Sequence, residues 1–268
     1  MPASPSPALR HWALHGVLLA LKLLLAPVLL IQGARVRRRA LELPEAPGPR
    51  LGQVGADDGR QSPLRLLIVG DSSAAGVGAL HQDQALAVTV AHQLHQTLQR
   101  PVHWQLVAST GWTSACAVAA LPQQNLQPAD VWVSVLGVND VVRQVGPTRT
   151  LRNLLTLQAM VHAQSGAVHW VHCAVPPLHR FPLLPAPLRW VLGAQARLLN
   201  QTLVAVLVRR EGIQVLGMPP GLSEMGGLMA EDGFHPGPAG YALWGQHVAR
   251  QVADVVRRGG APGLKARP

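Results

Sequence analysis

Short apolar runs alternate with longer amphipathic stretches along most of the chain. The apolar runs are rich in valine, leucine and isoleucine, as in strands buried on both faces, and they predict strands at residues 64–70, 102–109, 131–136, 167–175 and 213–217. The stretches between them repeat apolar residues at helical spacing, which predicts helices at residues 84–98, 114–121, 148–164, 187–210 and 238–258. This alternation predicts an α/β fold with a parallel sheet and helices on both of its faces.

The first 40 residues follow a different pattern. Residues 12–31 are almost continuously apolar, and a run of about 20 such residues is just long enough to cross the core of a bilayer. Lys22 lies within the run and Pro27 would kink a helix, so a helix in the membrane interface and a tilted span both remain alternatives. We predict a hydrophobic membrane-anchor helix with a basic flank over residues 1–40.

The flanks of this run differ in charge. Four arginines between residues 35 and 39 follow it and outweigh Arg10 on its other side. Because basic residues favour the cytoplasmic side of a membrane, we expect attachment to a bacterial-type inner membrane, with the globular domain in the cytoplasm.

Composition also divides the rest of the chain. Residues 41–63 are rich in proline and glycine, which predicts a linker. The domain proper then covers residues 64–258, which is enough chain to bury a sizeable core. Residues 259–268 are expected to be a disordered basic tail.

Charge and residue usage narrow the choice of partners. The formal net charge is +10 at pH 7, much of it near the two ends of the chain, which suits an anionic membrane surface. One tyrosine and two phenylalanines provide no stacking platform for nucleic acid, and two cysteines indicate neither a disulfide framework nor a metal motif. We therefore expect a monomer that binds a membrane and a small-molecule substrate and does not bind nucleic acid.

Small or polar residues follow several predicted strands at their carboxyl ends. They include Ser72, Gly111 and Asn139, and a last cluster holds Asp232 and His235. Because the carboxyl ends of parallel strands lie at one edge of a sheet, we expect these residues to meet there. Chemistry that needs several side chains in one place could be assembled at that edge.

The residue types at this edge suit nucleophilic catalysis. His235 would accept the proton of Ser72 and return it to a leaving group, and Asp232, three residues earlier on a turn, would orient the imidazole. The backbone N–H groups of Ser72 and Gly111 and the side-chain amide of Asn139 would form an oxyanion hole.

Together these motifs resemble those of the SGNH hydrolase superfamily, the GDSL-type esterases and lipases. Gly-Asp-Ser-Ser at 70–73 resembles the nucleophile block, with serine in place of the usual leucine, and Gly111 resembles the glycine of the second block. Gly-Val-Asn-Asp at 137–140 and Asp-Gly-Phe-His-Pro at 232–236 resemble the remaining two blocks, in family order. The resemblance implies a three-layer α/β/α flavodoxin-like fold and ester hydrolysis through an acyl-enzyme on Ser72, without metal or cofactor.

We therefore predict a membrane-tethered serine esterase that cleaves a carboxylic ester or thioester of a lipid or small acyl compound. Two alternatives use the same triad, namely an acyltransferase and a deacetylase acting on a saccharide. A third is a non-catalytic protein that binds anionic lipid or nucleic acid, which the complete set of motifs disfavours.

Other residues have competing interpretations. His169 and His172 invite a zinc hypothesis, but a separation of three on a strand places them on opposite faces. Asp71 and Asp140 are expected to hold turns through backbone hydrogen bonds rather than to transfer protons. The apolar stretch at 181–192 is either a wall for an acyl chain or membrane-facing lip, or the buried start of the long helix.

Overall fold

The computed structural model describes residues 7–59, 61–219 and 227–259, apart from the side chains of residues 7–15, 17–19 and 259. Its strands are β1 (Leu51–Val54), β2 (Leu64–Gly70), β3 (Val102–Ala108), β4 (Val131–Val135), β5 (His169–Cys173) and β6 (Ile213–Leu216). Its helices are α1 (Pro7–Arg39), α2 (Leu86–Leu98), α3 (Ser114–Ala120), α4 (Val138–Val142), α5 (Pro147–Ser165), α6 (Leu188–Leu207) and α7 (Pro238–Gly259).

The strands within the described residues form one sheet in the order β1-β3-β2-β4-β5-β6. Strands β2 to β6 run parallel to one another, and β1 pairs antiparallel with β3 at one edge. The order reverses at β2, which has β3 on one side and β4 on the other. In open α/β sheets such a reversal leaves a crevice at the carboxyl ends of the strands, and in this chain Ser72 lies two residues after the end of β2.

Helices cover both faces of the sheet, as the alternation of strands and helices predicts. From β2, Leu66 and Ile68 point into a core shared with α2 and α7, whereas Leu67 and Val69 point into a core shared with α3, α5 and α6. Successive strand residues thus enter opposite cores, which is why β2 is apolar at nearly every position. The predicted three-layer α/β/α architecture is confirmed.

The segment at 41–63 differs from the prediction. We expect a linker there, but the structure places strand β1 within it and buries Ala46. Only Val54 of β1 is buried. An edge strand with a single buried residue shows almost no hydrophobic pattern in the sequence, especially within a segment rich in glycine and proline. Strand β1 thereby adds an antiparallel edge to the predicted parallel sheet.

Helix α1 is present and contacts the rest of the protein through α6. Leu29 packs with Val191 and Leu198 of α6, and Gln32 forms hydrogen bonds with the segment that begins α6. Part of the predicted anchor at 1–40, and the predicted tail at 259–268, whose first residue ends α7, lie outside the residues described in full. Where side chains are described, no helix combines the length and apolar character needed to cross a membrane.

Candidate active site

Ser72 lies in a tight turn at the carboxyl end of β2. The Asp71 N–H donates to the Val135 carbonyl at 3.0 Å, and Asp71 Oδ1 accepts a hydrogen bond from the Ser73 N–H at 3.0 Å. The Ser72 carbonyl accepts from the Val77 N–H, also at 3.0 Å. These bonds fix the turn, so the largely buried serine has a defined position.

The segment that precedes α7 brings an imidazole to this serine. His235 Nε2 lies 2.8 Å from Ser72 Oγ, although the two residues are 163 positions apart in sequence. On the other side of the ring, His235 Nδ1 lies 2.6 Å from Asp232 Oδ2. The structure therefore brings together the predicted hydroxyl, imidazole and carboxylate in one continuous hydrogen-bonded chain.

The Asp232 carboxylate is held by the turn that it shares with the histidine. Its Oδ1 accepts hydrogen bonds from the backbone N–H groups of Phe234 and His235, at 2.9 and 3.0 Å. Burial alone would raise the pKa of Asp232, but the hydrogen bonds from the His235 ring and from these N–H groups lower it below its usual value. An ionised carboxylate in this position favours the tautomer with its proton on Nδ1 and leaves Nε2 free to accept the serine proton.

Two of the residues predicted for an oxyanion hole, Gly111 and Asn139, lie on segments that are bonded to each other. Gly111 adopts a φ of +80°, a backbone conformation that glycine adopts more readily than any other residue. The direction of its N–H group therefore depends on the absence of a side chain. Asn139 Nδ2 donates to the Trp112 carbonyl at 3.0 Å, which ties α4 to the loop of Gly111. One amide proton of Asn139 remains for another acceptor.

Two acidic residues next to these loops act as braces. Asp71 accepts from the Ser73 N–H, and Asp140 accepts from the backbone N–H and hydroxyl of Ser114 and from the hydroxyl of Thr150. The prediction of a turn held through a backbone hydrogen bond is confirmed for Asp71, whereas Asp140 ties α4 to the start of α3 and to α5. Complete burial raises the pKa of Asp71 to about 7, against the lowering effect of its bond from Ser73.

Several positioning contacts have no counterpart in the sequence prediction. The buried Tyr241 hydroxyl donates to the Val77 carbonyl at 2.6 Å and so ties α7 to the serine turn. A Cβ added to Gly78 would lie 2.4 Å from the Pro236 carbonyl oxygen, so the serine and histidine loops can approach this closely only because Gly78 lacks a side chain. These contacts depend on tertiary structure, and no local pattern indicates them.

Glu45 is a further residue that sequence reasoning missed, because it lies in the predicted linker. Its Oε1 accepts from the Thr110 N–H at 2.6 Å, one residue before Gly111, and its other oxygen pairs with Arg50. Burial would raise the pKa of Glu45, but the bond from Thr110 and the charge of Arg50 lower it. The segment at 41–63 thus helps to position the loop that carries Gly111.

An apolar cleft opens beside Ser72 and encloses about 800 Å³, including its mouth to solvent. Its walls include apolar side chains from the ends of β4 and β5, from the loop before α6 and from the histidine turn: Leu136, Val138, Val175, Phe181, Pro182 and Phe234. A second apolar groove shares residues 174–177 with this cleft and continues along α6. Phe181 and Pro182 therefore form a wall of the cleft, whereas Leu184 and Leu192 of the same stretch are buried in the core.

The histidines considered for zinc have other surroundings. His172 Nδ1 lies 2.8 Å from the hydroxyl of Ser134, and burial lowers the pKa of this histidine to about 4. His169 lies three residues away on the same strand and is only partly buried. Among the described residues, no three histidine, cysteine or acidic side chains are grouped so that they could hold a metal ion.

Comparisons with known proteins agree with this architecture. A family model described as the GDSL-like lipase/acylhydrolase family matches residues 68–243. The chain is similar to the crystal structure of TesA, with 21% identity and a TM-score of 0.54 over 71% of this chain and 99% of that one. It is also similar to the lipase Lip_vut3 from a goat rumen metagenome, with 16% identity and a TM-score of 0.55 over 71% of this chain and 97% of that one.

A third solved structure is a carbohydrate esterase family 2 enzyme with a carbohydrate-binding domain from Corynascus thermopiles (Myceliophthora fergusii). It shares 14% identity and a TM-score of 0.56 over 80% of this chain and 69% of its own. At these identities the three structures establish the fold alone. A search of curated proteins found no match.

The family match, by contrast, spans well over half of the chain and includes Ser72, Gly111, Asn139, Asp232 and His235. The chain is therefore a hydrolase of ester bonds and belongs to the GDSL-like lipase/acylhydrolase family.

Proposed function

We propose that the protein is a serine esterase that forms an acyl-enzyme on Ser72. The observation that carries this proposal is the position of the His235 ring, 2.8 Å from Ser72 Oγ and 2.6 Å from Asp232 Oδ2. Each distance is that of a hydrogen bond. A neutral imidazole carries its proton on one nitrogen and can accept a proton at the other. The Asp232 carboxylate beside Nδ1 favours a proton on Nδ1, so Nε2 is free to accept the proton of Ser72.

In the first half of the reaction, Ser72 Oγ attacks the carbonyl carbon of the ester while His235 Nε2 takes the hydroxyl proton. The tetrahedral intermediate carries its negative charge on the former carbonyl oxygen, for which the N–H groups of Ser72 and Gly111 and the amide of Asn139 are the proposed donors. The intermediate collapses when the bond to the alcohol oxygen breaks and His235 returns its proton to that oxygen.

In the second half, a water molecule attacks the acyl-enzyme. His235 removes a proton from the water, a second tetrahedral intermediate forms, and the bond from the acyl carbon to Ser72 Oγ breaks. The proton returns to Ser72, and a carboxylic acid leaves. Asp232 stays ionised throughout and stabilises the imidazolium form of His235 in both halves.

The apolar cleft supports a substrate with a hydrocarbon acyl chain. Its walls carry valine, leucine, proline and phenylalanine side chains immediately beside Ser72, and the groove along α6 extends the apolar surface beyond it. Burying each methylene of an acyl chain contributes roughly 0.8 kcal/mol. We therefore propose carboxylic esters or thioesters of a lipid or another acyl compound as substrates, ahead of acetyl esters of saccharides.

The test is hydrolysis of p-nitrophenyl esters of increasing acyl length. Ser72→Ala removes the nucleophile and should lower kcat at least about 10³-fold, whereas the matched control Ser73→Ala, one residue away, should keep the activity within a few fold. For the wild-type chain, kcat/KM should rise from acetyl to medium-chain esters. Full activity of Ser72→Ala would exclude the proposed nucleophile, and a preference for the acetyl ester would exclude the proposed acyl site.

Product analysis separates hydrolysis from transfer. With an acceptor alcohol added at high concentration, hydrolysis yields mainly the free acid, whereas an acyltransferase yields mainly the new ester. We expect the free acid, and a dominant new ester would assign the same triad to acyl transfer.

A further inference from the structure

Helix α1 exposes one apolar side to solvent. Between residues 21 and 31 six large apolar side chains have exposed fractions of 44–78%. They are Leu21, Leu23, Leu24, Val28, Leu30 and Ile31, and we call them the α1 face. Clusters of exposed apolar side chains on one element are uncommon on soluble surfaces and mark sites of interaction.

The opposite side of α1 is docked against the protein, so the orientation of the α1 face is fixed. Most half-buried residues of this helix recur at spacings of three and four, at 22, 25, 26, 29, 32, 33 and 36, and residue 34 is half-buried as well. Gln32 holds this side in place, because its Nε2 donates to the Ala186 carbonyl at 2.6 Å and its Oε1 accepts from the Leu188 N–H at 3.0 Å. The second of these bonds also satisfies the first free N–H group of α6 from outside that helix.

Lys22 belongs to the docked side of the helix. It lies seven residues, about two turns, before Leu29, which packs on Val191 and Leu198. Lys22 is half-buried, and burial lowers its pKa. The lysine that interrupts the apolar run in sequence therefore does not interrupt the α1 face.

Basic residues continue the exposed surface of α1 toward its end. Arg35, Arg37, Arg38 and Arg39 are all exposed in the roughly two turns that follow Ile31. The 33-residue sequence of the helix contains no aspartate or glutamate. An apolar side followed by uncompensated cations matches the boundary between the hydrocarbon and the anionic headgroups of a lipid surface.

We propose that the α1 face docks onto an anionic lipid bilayer, with its leucines among the acyl chains and the four arginines at the headgroups. The arginines are what favour lipid over a second copy of this chain, because a copy would bring the same cations to the contact, whereas anionic headgroups neutralise them.

Docking in this orientation has a consequence for the active site, and this consequence rests on the proposed function. Gln32 is bonded to residues 186 and 188, a few positions after Phe181 and Pro182 of the cleft wall. Trp190, two residues beyond Leu188, has an exposed fraction of 64%, and tryptophan favours the membrane–water interface. The cleft wall and the α1 face are thus joined through one short segment, which suits an enzyme that takes acyl substrates from the bilayer.

The test is flotation of the full-length chain with vesicles of phosphatidylcholine alone or mixed with phosphatidylglycerol. We expect binding to the mixed vesicles that weakens as salt is raised. Leu24→Glu combined with Val28→Glu and Ile31→Glu should lower the bound fraction at least about tenfold. The control is Val208→Glu, an exposed valine just after α6, which should bind as the wild-type chain does.

Two further measurements keep the result decisive. Replacing the four arginines by glutamine should remove the preference for phosphatidylglycerol. The variants of α1 and of Val208 should all hydrolyse a soluble p-nitrophenyl ester as fast as the wild-type chain, which shows that they are folded. Equal binding of the triple variant and the wild-type chain would overturn the proposal. The proposal would also be overturned if the wild-type chain sedimented as a dimer, did not bind vesicles, and became a monomer on the triple substitution. The α1 face would then be the contact with a second copy of the chain. Ser72→Ala should bind vesicles unchanged, so failure of the esterase proposal would not be mistaken for failure of this one.

Discussion

At the scale of single residues, the site is organised by His235 and by the carboxylate that holds it. Asp232 accepts three hydrogen bonds from its own turn, two from backbone N–H groups and one from the imidazole. The turn and the ring are therefore positioned by the same side chain. The orientation of the base is therefore set by contacts within four residues, independently of its contact with Ser72.

Replacing Asp232 by asparagine keeps the shape of the side chain and removes its charge. The amide presents a donor or a weaker acceptor to Nδ1, so the imidazole loses both its tautomer preference and the stabilisation of its protonated form. We expect kcat to fall by about 10³–10⁴-fold with the fold retained. Asp83→Asn, on an exposed aspartate, serves as the control, and kinetics with a soluble ester together with circular dichroism provide the measurement. A loss below tenfold would show that Asp232 does not orient the base.

Residue identities at the site were predictable because they lie in short motifs placed directly after predicted strands. The turn that holds Asp232 and His235 and the brace formed by Asp71 both follow from local spacing, and both are present. Glu45 was not predictable in this way. Its role depends on a bond to Thr110, 65 residues later, and its own neighbourhood in the sequence indicates only a loop.

At the scale of elements, the serine loop and the segment before α7 are joined by contacts other than the triad. Tyr241 in the first turn of α7 donates to the Val77 carbonyl, and the Val77 N–H in turn donates to the Ser72 carbonyl. Gly78 then allows the Pro236 carbonyl to lie against the same loop. The distance between Ser72 and His235 is thereby set by helix α7 as well as by the hydrogen bond between them.

Removing the Tyr241 hydroxyl tests this coupling. Tyr241→Phe leaves the buried Val77 carbonyl without its partner, which should lower the free energy of unfolding by about 1–3 kcal/mol and also reduce kcat. Ser165→Ala removes another buried side-chain bond, to the Val161 carbonyl at 2.8 Å at the end of α5, and should destabilise the protein without changing kcat. Denaturant unfolding and ester hydrolysis report the two effects, and an unchanged kcat in Tyr241→Phe would limit the tyrosine to a role in stability.

The strands and the longer helices from residue 64 onward were predictable from apolar periodicity, since each is buried on one or both faces, whereas the five-residue α4 is too short to show a helical period. Strand β1 was not, because it lies at the edge of the sheet and most of its residues are partly or fully exposed. Its position depends on pairing with β3, with Leu51 opposite Gln105 and Val54 opposite Val102. Pairing partners of an edge strand are a property of the folded sheet, and hydrophobic pattern carries little information about them.

At the scale of the whole molecule, the buried Asp71 makes stability depend on pH in a direction unusual for an acid. Its pKa is raised to about 7 by burial, from an ordinary value of 3.8. Between these two pH values the folded chain keeps the proton and the unfolded chain releases it. The unfolded state therefore binds fewer protons, and this residue's contribution to stability falls as pH rises from about 4 to about 7.

Asp71→Asn should remove this dependence, because an amide does not titrate and its oxygen can still accept from the Ser73 N–H. The unfolding free energy of the variant relative to that of the wild-type chain should therefore rise between pH 4 and pH 8, by up to about 4 kcal/mol. Denaturant unfolding across this range measures the difference. Parallel stability profiles for the two chains would show that Asp71 titrates normally.

The central claim is that Ser72 is an activated nucleophile, and covalent labelling tests it most directly. A fluorophosphonate probe reacts with a serine whose hydroxyl is activated by a neighbouring base, and peptide mass spectrometry locates the modified residue. We predict one probe per chain on the peptide that contains Ser72, no labelling of Ser72→Ala, and strongly slowed labelling of His235→Ala. A wild-type chain that stays unmodified, or one that is labelled at another serine while Ser72 is untouched, would contradict the account.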